Sequence, residues 1–187
     1  MVAFNWFQMN SVKEISIADV ASNTVSDTSG AGDSFGLIPK GMPNIYGNEL
    51  GVSFDDVSPA NLQKADSTIK KLGVLDQQIN LKGGELKRYI GITSKISCEY
   101  CCGADSIIFG DGRPACGCQH SFAMRGLAKY LIKNHANEYT DDQILEELGK
   151  WKMLFFPSQL LEKAKVLQSK GIELNYINLA SNKYRGL

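Results

Sequence analysis

The segment from Cys98 to His120 constrains this chain more than any other. It reads Cys-Glu-Tyr-Cys-Cys-Gly-Ala-Asp-Ser-Ile-Ile-Phe-Gly-Asp-Gly-Arg-Pro-Ala-Cys-Gly-Cys-Gln-His, and it holds all five cysteines and one of the two histidines of the protein. Cys98 and Cys101 form a C-x-x-C pair, a spacing at which two sulfurs in one tight turn reach a single ion. Thirteen residues separate Cys102 from Cys116. Within them Ser106 to Phe109 is a short apolar run, and Gly110, Asp111 and Gly112 form a hairpin turn signal. The expected path is knuckle, strand, turn, strand, and a return to the knuckle at Cys116, Cys118 and His120. A helix is expected to begin there, at Ser121 or Phe122.

Zinc takes four tetrahedral sulfur or nitrogen ligands, and six candidates are present: Cys98, Cys101, Cys102, Cys116, Cys118 and His120. The preferred set is Cys98, Cys101, Cys118 and His120. Cys116 can stand in for His120 or Cys101, and Cys102 is the natural spare. The surplus admits three readings: packing groups, a disulfide, or a site for Cu(I) or an iron–sulfur cluster, which also favour thiolates. The alternative without metal is two disulfides and one buried free cysteine. Clustered cysteines favour metal over a secreted disulfide framework, and the lack of any C-x-x-C-H string argues against haem.

The order of turn, hairpin and helix-start ligands resembles a treble-clef zinc site. The entry Cys118-x-His120 into a helix, with Ala123 three residues on, resembles the second half of a SWIM-type zinc finger, although the first pair here is C-x-x-C rather than C-x-C. From Leu86 to about Phe156 the chain is also similar to small bacterial proteins named for a PCYCGC motif, often lipoproteins with a cysteine knot followed by helices. The features that carry this are Tyr89-Ile90 leading to Cys98, Cys101, Cys102 and Gly103, then Cys116-Gly117-Cys118 entering a helix, then Thr140 to Ile144. The resemblance implies a metal-handling protein outside the cytoplasm, tethered by a segment not present in this sequence.

The rest of the chain is expected to be mainly helical. Residues 1–36 read as an arm and linker. Phe4, Trp6, Phe7 and Met9 make an aromatic start able to dock on the body or on a second copy, and residues 21–36 are rich in Ser, Thr, Asn, Asp and Gly. The run Asp27 to Phe35, with its Gly-Ala-Gly-Asp33, resembles the signature of ribokinase-type sugar kinases. That signature must open a helix, and Pro39 and Pro43 follow instead, so kinase chemistry is rejected. Residues 37–187 read as one helical domain carrying the knuckle 98–120. Loop with a short strand or turn near Leu50 to Phe54 is expected first. A helix then carries Leu62, Ala65, Ile69 and Leu72, with Ser58 as cap and Gly73 as stop. Further helices are expected over Glu85 to Lys95 and Phe122 to His135. Another opens on the Thr140/Gln143 capping box and carries Ile144, Leu148, Trp151 and Phe155. A last helix carries Leu161, Ala164 and Leu167 up to Gly171. Ile172 to Ile177 alternates like a strand, and residues 181–187 look loose.

Charge and hydropathy exclude several classes. Lys plus Arg and Asp plus Glu both number 20, so the net charge is zero. Nothing in that balance asks for nucleic acid or an anionic membrane. Arg125, Lys129 and Lys133 recur every four residues, a row that most often faces solvent. The longest uncharged stretch, Met1 to Val12, is too short to span a bilayer. With no signal peptide visible the default compartment is the cytoplasm. Four functions are consistent with these residues. The first is a structural or metal-handling module. The second is a thiol redox or metal-transfer protein. The third is an assembly protein using residues 1–20. The fourth, a zinc hydrolase, needs an open coordination position and a base such as Glu99, and surplus thiolates argue against it.

Overall fold

In the computed structural model, which describes residues 33–187, the chain is mainly helical: α1 (Tyr46–Leu50), α2 (Leu62–Gln78), α3 (Gly83–Thr93), α4 (Gln119–Asn134), α5 (Asp141–Phe155), α6 (Pro157–Ser169) and α7 (Tyr176–Ala180). α4 is the hub. Its Ala123, Met124, Leu127, Ala128 and Leu131 are buried, and it packs on α2, α3 and α5. A smaller apolar cluster joins α6, through Leu160, Ala164 and Leu167, to Leu37, Met153 and Leu179.

The crossing of α2 and α4 overturns the expected stop at Gly73. α2 is capped by Asn61, whose side chain accepts the Lys64 N–H at 3.0 Å, and it continues through Gly73 to Gln78. The glycines here serve close approach. A Cβ on Gly126 would stand 2.0 Å from the Leu72 carbonyl oxygen, and one on Gly73 would stand 3.3 Å from the Phe122 Cβ. A lone glycine in a periodic run marks either a cap or a tight crossing, and only the neighbouring helix decides which.

The basic row on α4 turns inward at two of its three positions, and Lys133 stays exposed. Arg125 is fully buried, and its Nε donates to Asp76 Oδ2 of α2 at 2.7 Å. Lys129 Nζ lies 2.7 Å from Asp76 Oδ1, and Lys133 Nζ lies 3.0 Å from Glu85 Oε1 of α3. The row is a polar seam between helices. α5 begins at the expected capping box. Its buried Trp151 donates Nε1–H to the Tyr46 hydroxyl at 2.8 Å, and that hydroxyl donates to Glu147 at 2.8 Å. This relay satisfies polar groups that would otherwise be costly to bury.

Four further expectations change. Residues 37–57 form α1 and a single 3-10 turn, Phe54–Asp56, closed by a Ser53/Asp56 capping box. The Ile172 to Ile177 alternation leads into α7, because Asn175 caps it by accepting the Asn178 N–H; a two-residue period over six residues does not outweigh a cap where no partner strand is offered. Residues 181–187 are tied down. Ser181 bridges to Ile96, the Asn182 N–H donates to the Lys95 carbonyl at 2.7 Å, and Arg185 donates to the Gly103 carbonyl and to Asp105. Finally, no named strand occurs among the described residues. The expected hairpin is one antiparallel bridge, Ile108 to Pro114, around a tight turn. Pro114 has no N–H to extend the ladder.

The described end of the Gly-Ala-Gly-Asp string opens no helix. Asp33 instead accepts the N–H groups of Leu37 and Ile38, at 2.7 and 3.0 Å. The remainder of that string, the aromatic arm and its proposed role in self-association lie outside the described residues. Among the described residues no helix is long and apolar enough to cross a membrane.

Candidate metal centre

The knuckle begins where α3 ends. Ile96 and Ser97 carry the chain into the interior and leave Cys98 buried. Glu99 has φ of 59°, the only left-handed non-glycine residue described, and the Tyr100 N–H donates back to the Cys98 carbonyl. This sharp turn lets the exposed Cys101 come back beside Cys118. The intervening loop is pinned from inside by apolar and polar contacts. Ile107 and Ile108 are buried, and the Ile107 N–H donates to the Ile96 carbonyl at 3.0 Å. The Arg125 guanidinium donates to the carbonyls of Ile107 and Cys116, at 3.2 and 2.9 Å. One buried cation on α4 thereby staples both arms of the loop.

Cys118 is the pivot. It is the N-cap of α4, and its sulfur accepts the Ser121 N–H at 3.3 Å. Cys98 Sγ lies 3.3 Å from it and Cys116 Sγ 3.5 Å. Two three-donor groups share it: Cys98, Cys116 and Cys118, and Cys101, Cys118 and His120. In each, all donor atoms lie within 4.8 Å of one another. The Cys98 thiol, hydrogen-bonded to Cys118, draws the Cys118 ionisation well below the usual thiol range. Burial opposes this, while His120 and the Ser121 N–H add to it. The same hydrogen bond between the two sulfurs, with burial, pushes the Cys98 thiol up. The Cys118 sulfur caps the N-terminus of α4, where backbone N–H groups favour negative charge.

All six sequence-identified residues therefore meet at one end of α4. They are not equivalent. Cys102 and Cys116 are joined as a disulfide, with Cα atoms 6.6 Å apart, and Cys98, Cys101 and Cys118 are free. In this state Cys102 and Cys116 are not thiolate donors, so the available set is Cys98, Cys101, Cys118 and His120. Four ligands about 2.3 Å from one ion stand about 3.7 Å apart in a tetrahedron; the donors here fall into two trios joined at Cys118, with Cys98 outside the group of Cys101, Cys118 and His120. The His120 ring lies 4.8 and 4.9 Å from the rings of Phe155 and Phe156, and its Nδ1 is buried with no hydrogen-bond partner. A buried polar atom left without a partner beside free sulfurs fits a ligand position.

Sequence reasoning missed the support behind the knuckle. Lys152 of α5 and Lys163 of α6 are both fully buried and converge on Glu99: Lys152 Nζ is 3.1 Å and Lys163 Nζ 3.3 Å from Glu99 Oε2. Lys152 also donates to the Ala180 carbonyl at 3.0 Å, and the Gly186 N–H donates to Glu99 at 2.9 Å. Burial pulls the Lys152 ammonium down to about 8 against the attraction of Glu99, so it stays largely charged at neutral pH. A signal was present. Lys152 follows Ile144 and Leu148 at intervals of four, and Lys163 sits between Leu160 and Leu167, so both occupy inward positions of apolar stripes. Glu99 itself, bound three ways and held below its ordinary range despite burial, is not free to act as a base.

No protein-family model, curated protein or solved structure matches the chain.

Proposed function

We propose that this chain is a metal-binding module, with zinc the best fit, held by Cys98, Cys101, Cys118 and His120. The ion ties the knuckle to the N-terminus of α4, and the module is structural or metal-handling rather than catalytic. The observation that carries this reading is the convergence on Cys118 of donors from two turns some twenty residues apart in sequence, together with the partnerless buried Nδ1 of His120. Tetrahedral sulfur and nitrogen donors suit zinc, and Cu(I) or an iron–sulfur cluster is the softer alternative. The treble-clef and PCYCGC resemblances belong to the same proposal, as does an extracytoplasmic setting. Elemental analysis of the purified protein is expected to give about one zinc per chain. The Cys98→Ser, Cys101→Ser double variant is expected to lose the ion and several degrees of melting temperature. An unchanged melt and no metal in the wild type would end this reading.

A second reading rests on one distance. Cys118 Sγ lies 3.5 Å from Cys116 Sγ of the disulfide. Attack by the Cys118 thiolate would form a Cys116–Cys118 bond and release Cys102 as the thiolate, with no net oxidation. Thiol counting separates the two: under the metal reading, reactive thiols number three only after chelation, whereas an exchange site reacts regardless of chelator.

A further inference from the structure

Behind the knuckle lies a charge imbalance that the fold alone does not require. Lys152 and Lys163 are both sealed from solvent, and the carboxylate both address is that of Glu99, itself almost fully buried. Burying an ammonium is costly unless a negative charge faces it. Glu99 matches one of the two; the second has no carboxylate of its own among the described residues, only the Ala180 carbonyl and the face of Tyr100, whose ring centre is 5.6 Å from Lys152 Nζ. Glu99, on which both ammoniums converge, is the chain neighbour of Cys98.

Resting on the metal reading above, we infer that Lys152 and Lys163, set in place by Glu99, are the buried counter-cations of an anionic metal–thiolate centre. The three free cysteines as thiolates, a neutral His120 imidazole and a divalent ion sum to one negative charge. Two ammoniums and one carboxylate leave one positive charge beside it. The two clusters neutralise each other in a region of low dielectric. A monovalent ion on the same ligands would leave two negative charges and only one to oppose them, so the match favours a divalent, thiophilic cation. Lys152 and Lys163 are positioning residues in this scheme and coordinate nothing. The left-handed turn at Glu99 links the parts: the residue that bends the knuckle toward Cys101 also anchors the cations.

The test is cobalt(II) affinity of the full-length chain, measured by chelator competition and by the sulfur-to-cobalt absorption band, alongside the melting temperature of the metal-free protein. Lys152→Met removes a positive charge and is expected to weaken cobalt binding on the order of tenfold. Lys163→Met should act the same way, and Lys152→Arg should restore most of the affinity. Glu99→Gln keeps the shape but removes the negative charge, and it is expected to tighten cobalt binding by a similar factor while lowering the stability of the metal-free protein. A triad that serves only the fold would make every variant less stable and would not give charge-reversed affinities. Affinities unchanged across the set, or falling in Glu99→Gln as in Lys152→Met, overturn the inference even if Lys152→Met fails to fold. No cobalt binding by the wild type overturns the metal reading itself and this inference with it.

Discussion

His135 has carboxylates on both ring nitrogens: Nδ1 lies 2.7 Å from Glu138 and Nε2 2.8 Å from Glu49. Ionised carboxylates only accept, so both nitrogens must carry protons and the ring is an imidazolium. Burial alone would lower its pKa. The hydrogen bonds to Glu138 and Glu49 outweigh that and raise it above its ordinary value of 6.5. The sign follows from linkage: a group with a raised folded-state pKa contributes stability that is fully present below pH 6.5 and lost as pH rises through the folded value. The contacts join α1, through Glu49, to the C-terminal end of α4, and the Tyr130 ring packs on the imidazole, 5.5 Å away. Melts of wild type and His135→Gln across pH 5.5 to 9 should converge as pH rises, with the wild type more stable at the acid end. A gap independent of pH would refute the clasp. Sequence placed His135 at a helix end, where a cation is favoured. Its two partners lie 86 and 3 residues away, and only the nearer was within reach of local reasoning.

Helix crossings set the next level. At Gly126 a methyl group would meet the Leu72 carbonyl at 2.0 Å. That is backbone, with no side chain to swing aside. Gly126→Ala is therefore expected to cost about 2–3 kcal/mol, the upper part of the overpacking range. Gly91, in the exposed face of α3, has nothing within 4 Å of an added Cβ. Gly91→Ala should stabilise by about 0.5–1 kcal/mol, the helix-propensity difference. Urea melts of the two variants check this, and equal effects at the two sites would contradict the crossing. The helices themselves were largely legible. Thr140 and Gln143 close a capping box where the S/T-x-x-E/Q pattern says they should. Buried Leu72, Ile144, Leu148, Trp151, Ala164 and Leu167 lie on the inward stripes that periodicity draws, and Leu62 at the start of α2 is the exception, exposed. What periodicity could not decide was glycine's role in α2, because stop and close packing look alike until the partner helix is known.

At the scale of the molecule, residues 182–187 reach back over the knuckle: Arg185 to Gly103 and Asp105, and the Gly186 N–H to Glu99. Deleting residues 182–187 should lower the melting temperature by roughly 3–6 °C and speed proteolysis within residues 99–105. Unchanged cleavage there would show the tail to be ornamental. This closure links positions 80 to 87 residues apart, and no local pattern in so short a tail announces it. The sequence by itself determined that the chain is mainly helical, because 3.6-residue periodicity and caps act within a few residues of one another. It also determined that the soft donors are concentrated in one loop, because spacing along the chain limits how far two sulfurs can part. Tertiary structure alone decided which sulfurs pair as a disulfide, that Arg125 and Lys129 of the basic row on α4 pair with Asp76 of α2, and that two lysines from α5 and α6 meet one glutamate behind the site. Each of those depends on distances between elements remote in sequence, and burial turns such distances into energies.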